Sequence, residues 1–263
     1  MDLGLNGRTA LVGGGSSGLG RASAEWLAAE GCRLAIWARN LDALERVAAD
    51  LRTRYRTEVS VIAADATDPE AAPRVAEAAL AALGRIDILV LNAGGPPPVD
   101  PTATDRVGWT RSFQLLAITP IELATLLLPG MRERRWGRIV AILSSGVRQP
   151  IPELVYSNAG RGALAAWMKT AARTVAADGV TINGVLPGRI QTPRVESLDR
   201  ARAERLGEPL ERIRSESIAA IPAARYGRPE ELGSLVAYLC SELAAYQTGT
   251  FTAVDGGLIN ALP

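Results

Sequence analysis

The sequence predicts a doubly wound α/β fold, a single domain built on a parallel seven-stranded sheet with helices on both faces. Three observations predict it. Short apolar, β-branched runs alternate with segments of helical period along the chain, the pattern of strand, crossover helix and parallel strand. The first apolar run leads into the glycine cluster Gly13-Gly14-Gly15-Ser16-Ser17-Gly18-Leu19-Gly20. The 263 residues are 48% hydrophobic, enough to bury both faces of a large sheet in one domain.

The elements follow in order. Residues 8–12 read as the first strand and residues 19–30 as the first helix, stopped by Gly31. Residues 32–38 form the second strand, Asn40 is placed to cap a helix over 41–54, and 59–64 is the third strand. Asp68 and Pro69 read as the cap and first-turn proline of a helix running to about residue 83. Residues 86–91 are the fourth strand. A long helix over 104–135 is expected to bend near Pro120 and to end around Pro129, because proline lacks the N–H that a helix interior needs. Strands at 138–143, 180–186 and 251–254 alternate with helices at 155–177 and 229–241. Residues 188–224 break this rhythm. They are charged and irregular with one or two short helical patterns, an insertion over the carboxyl edge of the sheet where a lid would sit.

Composition narrows the chemistry. A net charge of +1 shows no excess of either sign and argues against a nucleic-acid partner. The chain has no histidine, which removes any His-based general acid, triad or His/Cys zinc site. Cys32 and Cys240 lie in apolar segments and read as core thiols. The opening Met1-Asp2-Leu3-Gly4 has no basic stretch leading into an apolar one, and no apolar run looks long enough to cross a membrane. A cytoplasmic protein with no membrane partner is the expectation.

The glycine cluster joins a strand to a helix, where a diphosphate meets backbone N–H groups and the positive helix end. Glycine belongs there because a side chain would block the phosphate. Gly13, Gly15 and Gly18 satisfy G-x-G-x-x-G, while Gly14, Gly18 and Gly20 satisfy G-x-x-x-G-x-G. Arg21 stands where a Walker loop would continue into Lys-Ser/Thr, which argues against a nucleoside triphosphate cradle. A tight turn without ligand is the competing reading. At the end of the second strand, where an acidic residue would hold a ribose 2′-hydroxyl, stands Arg39. Its guanidinium offers a charged fork to a 2′-phosphate, so NADP(H) is favoured over NAD(H). As an ordinary surface arginine it would leave that preference open.

Further motifs recur in order: Asp65 after the third strand, Leu91-Asn92-Ala93-Gly94 after the fourth, Pro187-Gly188-Arg189-Ile190-Gln191-Thr192 after the sixth, and Val254-Asp255-Gly256-Gly257 at the seventh. With the second glycine template they resemble the classical short-chain dehydrogenases/reductases over nearly the whole chain, most of all the 3-oxoacyl-(acyl-carrier-protein) reductases. The resemblance implies a Rossmann fold. It implies cofactor contacts from Gly14, Ser16, Ser17, Gly18, Leu19 and Gly20, from Asp65 and Ala66 at the adenine, from Asn92, Ala93 and Gly94, and from Pro187, Gly188, Ile190 and Thr192 toward the nicotinamide. It further implies a small-molecule or acyl-thioester substrate shaped by residues 188–224 and by Pro96-Pro97-Pro98. A homodimer or homotetramer is implied too, and the apolar arcs at 117–128 and 159–175 suit burial against sheet and partner.

That family's chemistry uses a Tyr as acid/base, a Lys that tunes it and binds ribose, a Ser on the substrate carbonyl, and a helix Asn in a proton relay. Counting from Gly137 puts the Ser at Ser144, with Ser145 as an alternative, the Tyr position at Ser157 and the Lys position at Arg161. Anchoring on Lys169-Thr170-Ala171-Ala172 gives the same register, and the helix Asn falls at Leu116. Sliding the motif by one would make Tyr156 the acid, but it would leave Gly160 at the Lys position. At about 3.6 residues per turn, one residue rotates a side chain by roughly 100°, so Tyr156 is expected to pack instead. A serine hydroxyl is a far weaker acid than a tuned phenol. Arg161 can hold ribose but cannot lose its own proton. Two readings follow: an oxidoreductase with Ser144, Ser157 and Arg161 in an altered acid/base arrangement, or a catalytically silent dinucleotide-binding sensor or scaffold subunit.

Overall fold

Strand residues that alternate between two apolar layers can be buried on both faces only if helices cover both. The computed structural model describes residues 2–261. In it β1 (Thr9–Gly13), β2 (Arg33–Ala38), β3 (Val59–Ala63), β4 (Ile88–Leu91), β5 (Gly137–Ile142), β6 (Val180–Pro187) and β7 (Phe251–Val254) form one parallel sheet in the order β3-β2-β1-β4-β5-β6-β7. The helices are α1 (Gly18–Ala29), α2 (Leu41–Tyr55), α3 (Ala71–Leu83), α4 (Arg106–Phe113), α5 (Thr119–Glu133), α6 (Val155–Val175), α7 (Pro193–Leu206), α8 (Leu210–Ala219) and α9 (Pro229–Leu239). Ala10, Val12, Leu34, Ile36, Ile88 and Val90 pack with Leu27, Leu44 and Val236 of α1, α2 and α9. The intervening Leu11, Ala35, Leu89, Leu91 and Ile139 pack with Val75, Leu123 and Met168 of α3, α5 and α6. The strand order reverses beside β1, so the crevice between the carboxyl ends of β1 and β4 is where a ligand of such a sheet binds.

Most expected elements stand within a few residues of their positions, and Asn40 caps α2 by accepting from the Ala43 N–H at 2.9 Å. Several expectations need correction. The helix at Pro69 starts instead at Ala71, because residues 65–70 fold into successive turns in which Asp68 Oδ1 accepts from Glu70 N at 3.0 Å and Asp68 O accepts from Ala71 N at 3.0 Å. Pro129 does not end its helix. It lies on the exposed side of α5, so the carbonyl left without a partner, on exposed Thr125, reaches water, while Leu127 and Met131 hold the helix to the core. Pro120 sits in the first turn of α5, directly after a π-helical segment at Gln114–Ile118 that separates α4 from α5. The continuous helical stretch Arg106–Glu133 is thus 28 residues long, with a window of mean hydropathy 1.5. That is long and apolar enough by composition to cross a membrane, contrary to the sequence reading; its buried residues Leu123, Ala124, Leu127 and Met131 pack on the sheet layer. Residues 188–224 are not irregular, since α7 and α8 occupy most of them.

The glycine loop meets its surroundings at backbone distance. A Cβ on Gly20 would collide with the Gly14 carbonyl and lie 2.5 Å from that of Gly13, whereas one on Gly162, inside α6, would meet nothing within 4 Å. Backbone cannot give way as a side chain can. Gly20→Ala is therefore expected to lose about 1–3 kcal/mol to overpacking, and Gly162→Ala to gain roughly 0.5–1 kcal/mol from helix propensity. Urea unfolding of the two variants beside the parent chain measures both.

Candidate functional site

The carboxyl ends of β1 to β6 open into one cavity of about 1440 Å³, larger than the roughly 300–1,000 Å³ of ordinary small-molecule pockets. Its wall gathers nearly every residue singled out in the sequence: Gly14, Ser16, Ser17, Gly18 and Leu19 from the glycine loop; Arg39, Asp65 and Ala66 from the ends of β2 and β3; Asn92, Ala93 and Gly94 after β4; Ser144, Ser157 and Arg161; and Pro187, Gly188, Ile190 and Thr192 after β6. Gly20 is the exception and a correction. It is buried against the loop's own carbonyls, so it sets how closely α1 approaches the loop and does not line the cavity.

The loop is shaped by its contacts. Gly14 and Gly18 adopt φ of +60° and +54°, the left-handed region where side chains are strained. Asn92 Nδ2 donates to Gly13 O at 3.1 Å, tying the loop to the end of β4. Ser17 stands at the N-cap of α1, yet its side chain makes no capping hydrogen bond. The first-turn amides of α1 are thus left to a ligand on the cavity side. Directly beside the loop, opposite Gly13, Trp37 is 6% exposed, and its Nε1 is a buried donor without a partner among the described residues. Arg39, exposed at the rim, makes no ion pair among the described residues.

The residues expected from the sequence to carry chemistry are arranged unevenly. Ser144 Oγ accepts from Gly146 N at 3.0 Å. Ser157, in the first turn of α6, is 5% exposed and its hydroxyl makes no side-chain hydrogen bond among the described residues. Arg161, one turn further along, donates from Nε to Leu143 O at 2.9 Å and from Nη2 to Ala93 O at 3.3 Å, bridging the loops after β5 and β4. Burial, and then the nearby Arg194 charge, pushes its guanidinium down to about 10. It stays charged at neutral pH, as a cation that satisfies backbone carbonyls and keeps donors to spare. Leu116 lies outside the cavity wall, in the π segment and against Gly160; its neighbour Leu115 lines the cavity instead.

Tyr156 borders the cavity but its hydroxyl is already engaged. It accepts from Asp105 N at 2.9 Å, and its ring meets Trp109 edge-on with centroids 4.7 Å apart. Sequence reasoning passed over three further residues. Asn158 clamps the loop before α6, donating from Nδ2 to Ile151 O at 2.8 Å. Trp37 was read only as strand. Arg194 in the first turn of α7 enters the cavity and donates from Nη2 to Pro96 O at 2.6 Å. No local pattern marks Asn158 or Arg194, whose partners are loops brought near by the fold. Tyr156→Phe is expected to cost about 1 kcal/mol by leaving the Asp105 amide unpaired, read as a lowered unfolding midpoint in denaturant.

Comparison with known proteins places the whole chain. A family model described as enoyl-(acyl carrier protein) reductase matches residues 14–259. The chain is 33% identical over 257 residues to nodulation protein G of Azospirillum brasilense, covering 97% of this chain and 99% of that protein. It is 30% identical over 259 residues to a 3-oxoacyl-(acyl-carrier-protein) reductase of Aquifex aeolicus, covering 98% and 100%. Among solved structures, L-sorbose reductase from Gluconobacter frateurii, complexed with NADPH and L-sorbose, superposes with a TM-score of 0.94 at 33% identity over 100% of both chains. An actinorhodin polyketide ketoreductase with NADPH gives 0.92 at 28% identity over 97% and 98%.

Proposed function

Because the chain belongs to the short-chain dehydrogenase/reductase family, we propose that it is an NADP(H)-dependent oxidoreductase acting on a carbonyl/alcohol pair in the cavity at the carboxyl edge of its sheet. One observation carries this reading: the uncapped start of α1 shares a single cavity with Ser144, Ser157 and Arg161. The residues present fit a dinucleotide. Gly14, Ser16, Ser17, Gly18 and Leu19 offer backbone to a diphosphate at the uncapped start of α1. Asp65 and Ala66 flank the adenine end. Asn92, Ala93, Gly94, Pro187, Gly188, Ile190 and Thr192 frame the opposite half. Arg39 is the residue for a 2′-phosphate.

When bound, the nicotinamide supplies or accepts the hydride. The chain does the rest. Ser144 and Ser157 hydrogen-bond the substrate oxygen, Arg161 holds ribose hydroxyls and stabilises negative charge developing nearby, and the proton comes from water through Ser157, since Arg161 does not titrate near neutrality. α7, which lends Arg194, Val195 and Leu198 to the cavity wall, serves as the lid. The 3-oxoacyl thioesters reduced by relatives such as the Aquifex aeolicus enzyme are a first substrate class to assay. Ile118 at the end of the π segment and Leu126 on α5, 49% and 46% exposed, provide the apolar face of a homodimer or homotetramer.

NADPH is expected to raise the melting temperature more than NADH does, and Arg39→Ala to weaken NADPH roughly tenfold, about 1.4 kcal/mol, while leaving NADH unchanged. Equal response to both nucleotides would remove the NADP(H) preference, and response to neither would overturn the dinucleotide reading. With NADPH and a panel of thioesters, ketones and quinones, turnover is expected to fall at least about tenfold in Ser157→Ala and to stay within about twofold in Tyr156→Phe, whose hydroxyl is spent on Asp105. Binding without turnover above a glycine-loop variant's background would point to the silent sensor or scaffold. Light scattering is expected to report a dimer or tetramer; a monomer at micromolar concentration would refute the assembly.

A further inference from the structure

The chain is close to neutral overall, at +1, yet its cavity is not. The wall carries Arg39, Arg111, Arg161, Arg189, Arg194, Arg202 and Arg205 against Asp65, Asp105 and Glu153. Much of this charge is internally matched. Arg189 pairs with Asp199, Arg202 with Glu216 and Arg205 with Glu153. The carboxylates are committed too: Asp105 caps α4, accepting from Gly108 N at 2.6 Å, and Asp65 accepts from Thr67 N at 3.0 Å.

Two part-buried guanidiniums remain without an acidic partner among the described residues, Arg161 and Arg194. Burial lowers the proton affinity of both, and the Arg194 charge adds to that effect at Arg161. Each is held by backbone carbonyls alone: Arg161 by Leu143 and Ala93, Arg194 by Pro96. Arg194 reaches this position because residue 95 is glycine, where a Cβ would lie 2.9 Å from its Nη2. Neighbouring cations drawn out of water without a counter-ion are costly, and an anion that enters between them recovers that cost through charge-assisted bonds. Arg39, far along the sheet at the end of β2, is the cation for a nucleotide phosphate. Arg161 and Arg194 flank the loop after β4, beside Ser157 and the apolar Pro97, Pro98 and Leu198.

We propose that the substrate of this site is an oxo acid or hydroxy acid, with a free carboxylate seated on Arg194, beside the charge of Arg161, and the reacting carbonyl or alcohol directed to Ser144 and Ser157. This rests on the oxidoreductase reading and names its substrate class. A thioester or an uncharged ketone would leave both guanidiniums unmatched.

The test is isothermal titration calorimetry with a series of oxo acids from 2-oxobutanoate to 6-oxoheptanoate, each paired with its methyl ester, on the protein alone and saturated with NADPH. At least one acid is expected to bind tenfold or more tighter than its ester. Arg194→Gln is expected to reduce that ratio below threefold, chiefly by weakening the acid, while NADPH affinity holds. Gly95→Ala, which displaces the guanidinium without removing it, is expected to reduce the ratio in the same direction and serves if Arg194→Gln fails to fold. Esters matching acids across the series, a ratio that survives both variants, or acid and ester weakened alike would overturn the proposal. A loss of NADPH binding in Arg194→Gln would assign the arginine to the nucleotide instead. If NADPH does not bind the parent chain, the oxidoreductase reading falls, and the acid-to-ester ratio on the protein alone still decides the carboxylate site.

Discussion

The site depends on how closely the loop after β1 approaches the end of β4. Gly13, Gly14 and Gly20 leave no room for a Cβ between the loop, the start of α1 and Asn92, and the Asn92 amide binds the Gly13 carbonyl across that contact. One side of the same knot aims the first turn of α1 into the cavity, and the other sets the path of Ala93 and Gly94. Arg161 then grips the Ala93 and Leu143 carbonyls, which joins the loops after β4 and β5. The glycine loop and the part of the cavity that holds Ser144, Ser157 and Arg161 thus share one scaffold, in which two side chains tie main-chain carbonyls together.

Within this scaffold the polar groups divide by how fully they are satisfied. Tyr156, Asn158 and Asp105 are saturated by backbone partners and hold loops in place. Asp199, 1% exposed, is paired with Arg189 and accepts from Tyr226 Oη at 2.9 Å, pinning the middle of α7. Ser157, Arg39, Arg161 and Arg194 retain unused capacity and line the cavity. Because buried polar groups are ordinarily satisfied, the grouping of part-buried donors with capacity to spare along one cavity wall is a physical mark of a ligand site. It is independent of any motif.

The sheet was legible because parallel strands are near-continuous apolar runs with sharp glycine or proline boundaries, as at 251–254, where reading and structure coincide. Helix irregularities were not. A π segment at Gln114–Ile118 shifts the helical phase by one residue, which a periodicity averaged over several turns does not resolve, and Pro129 survives inside α5 through tertiary anchoring at Leu127 and Met131. α7 and α8 were read as short helical patterns in an irregular stretch because their few apolar positions give little amphipathic signal. The structure shows these helices tied by Arg–Glu pairs and by buried Asp199. The cavity residues carried by compact motifs were all identifiable in the sequence. Asn158 and Arg194 were not, since each acts on a loop contact that local pattern does not encode.

The amino-acid sequence by itself determined the alternation of strand and helix, the glycine turn with its open helix start, and the absence of histidine chemistry, because these follow from local periodicity, backbone sterics and composition. Tertiary structure decided which polar groups are spent and which remain available. Tyr156 is consumed by Asp105, Gly20 turns inward, and Arg194 comes to lie beside Arg161. Those outcomes depend on segments tens of residues apart meeting at hydrogen-bond distance, and on the burial that makes an unmatched charge costly. No local reading of the chain contains either quantity.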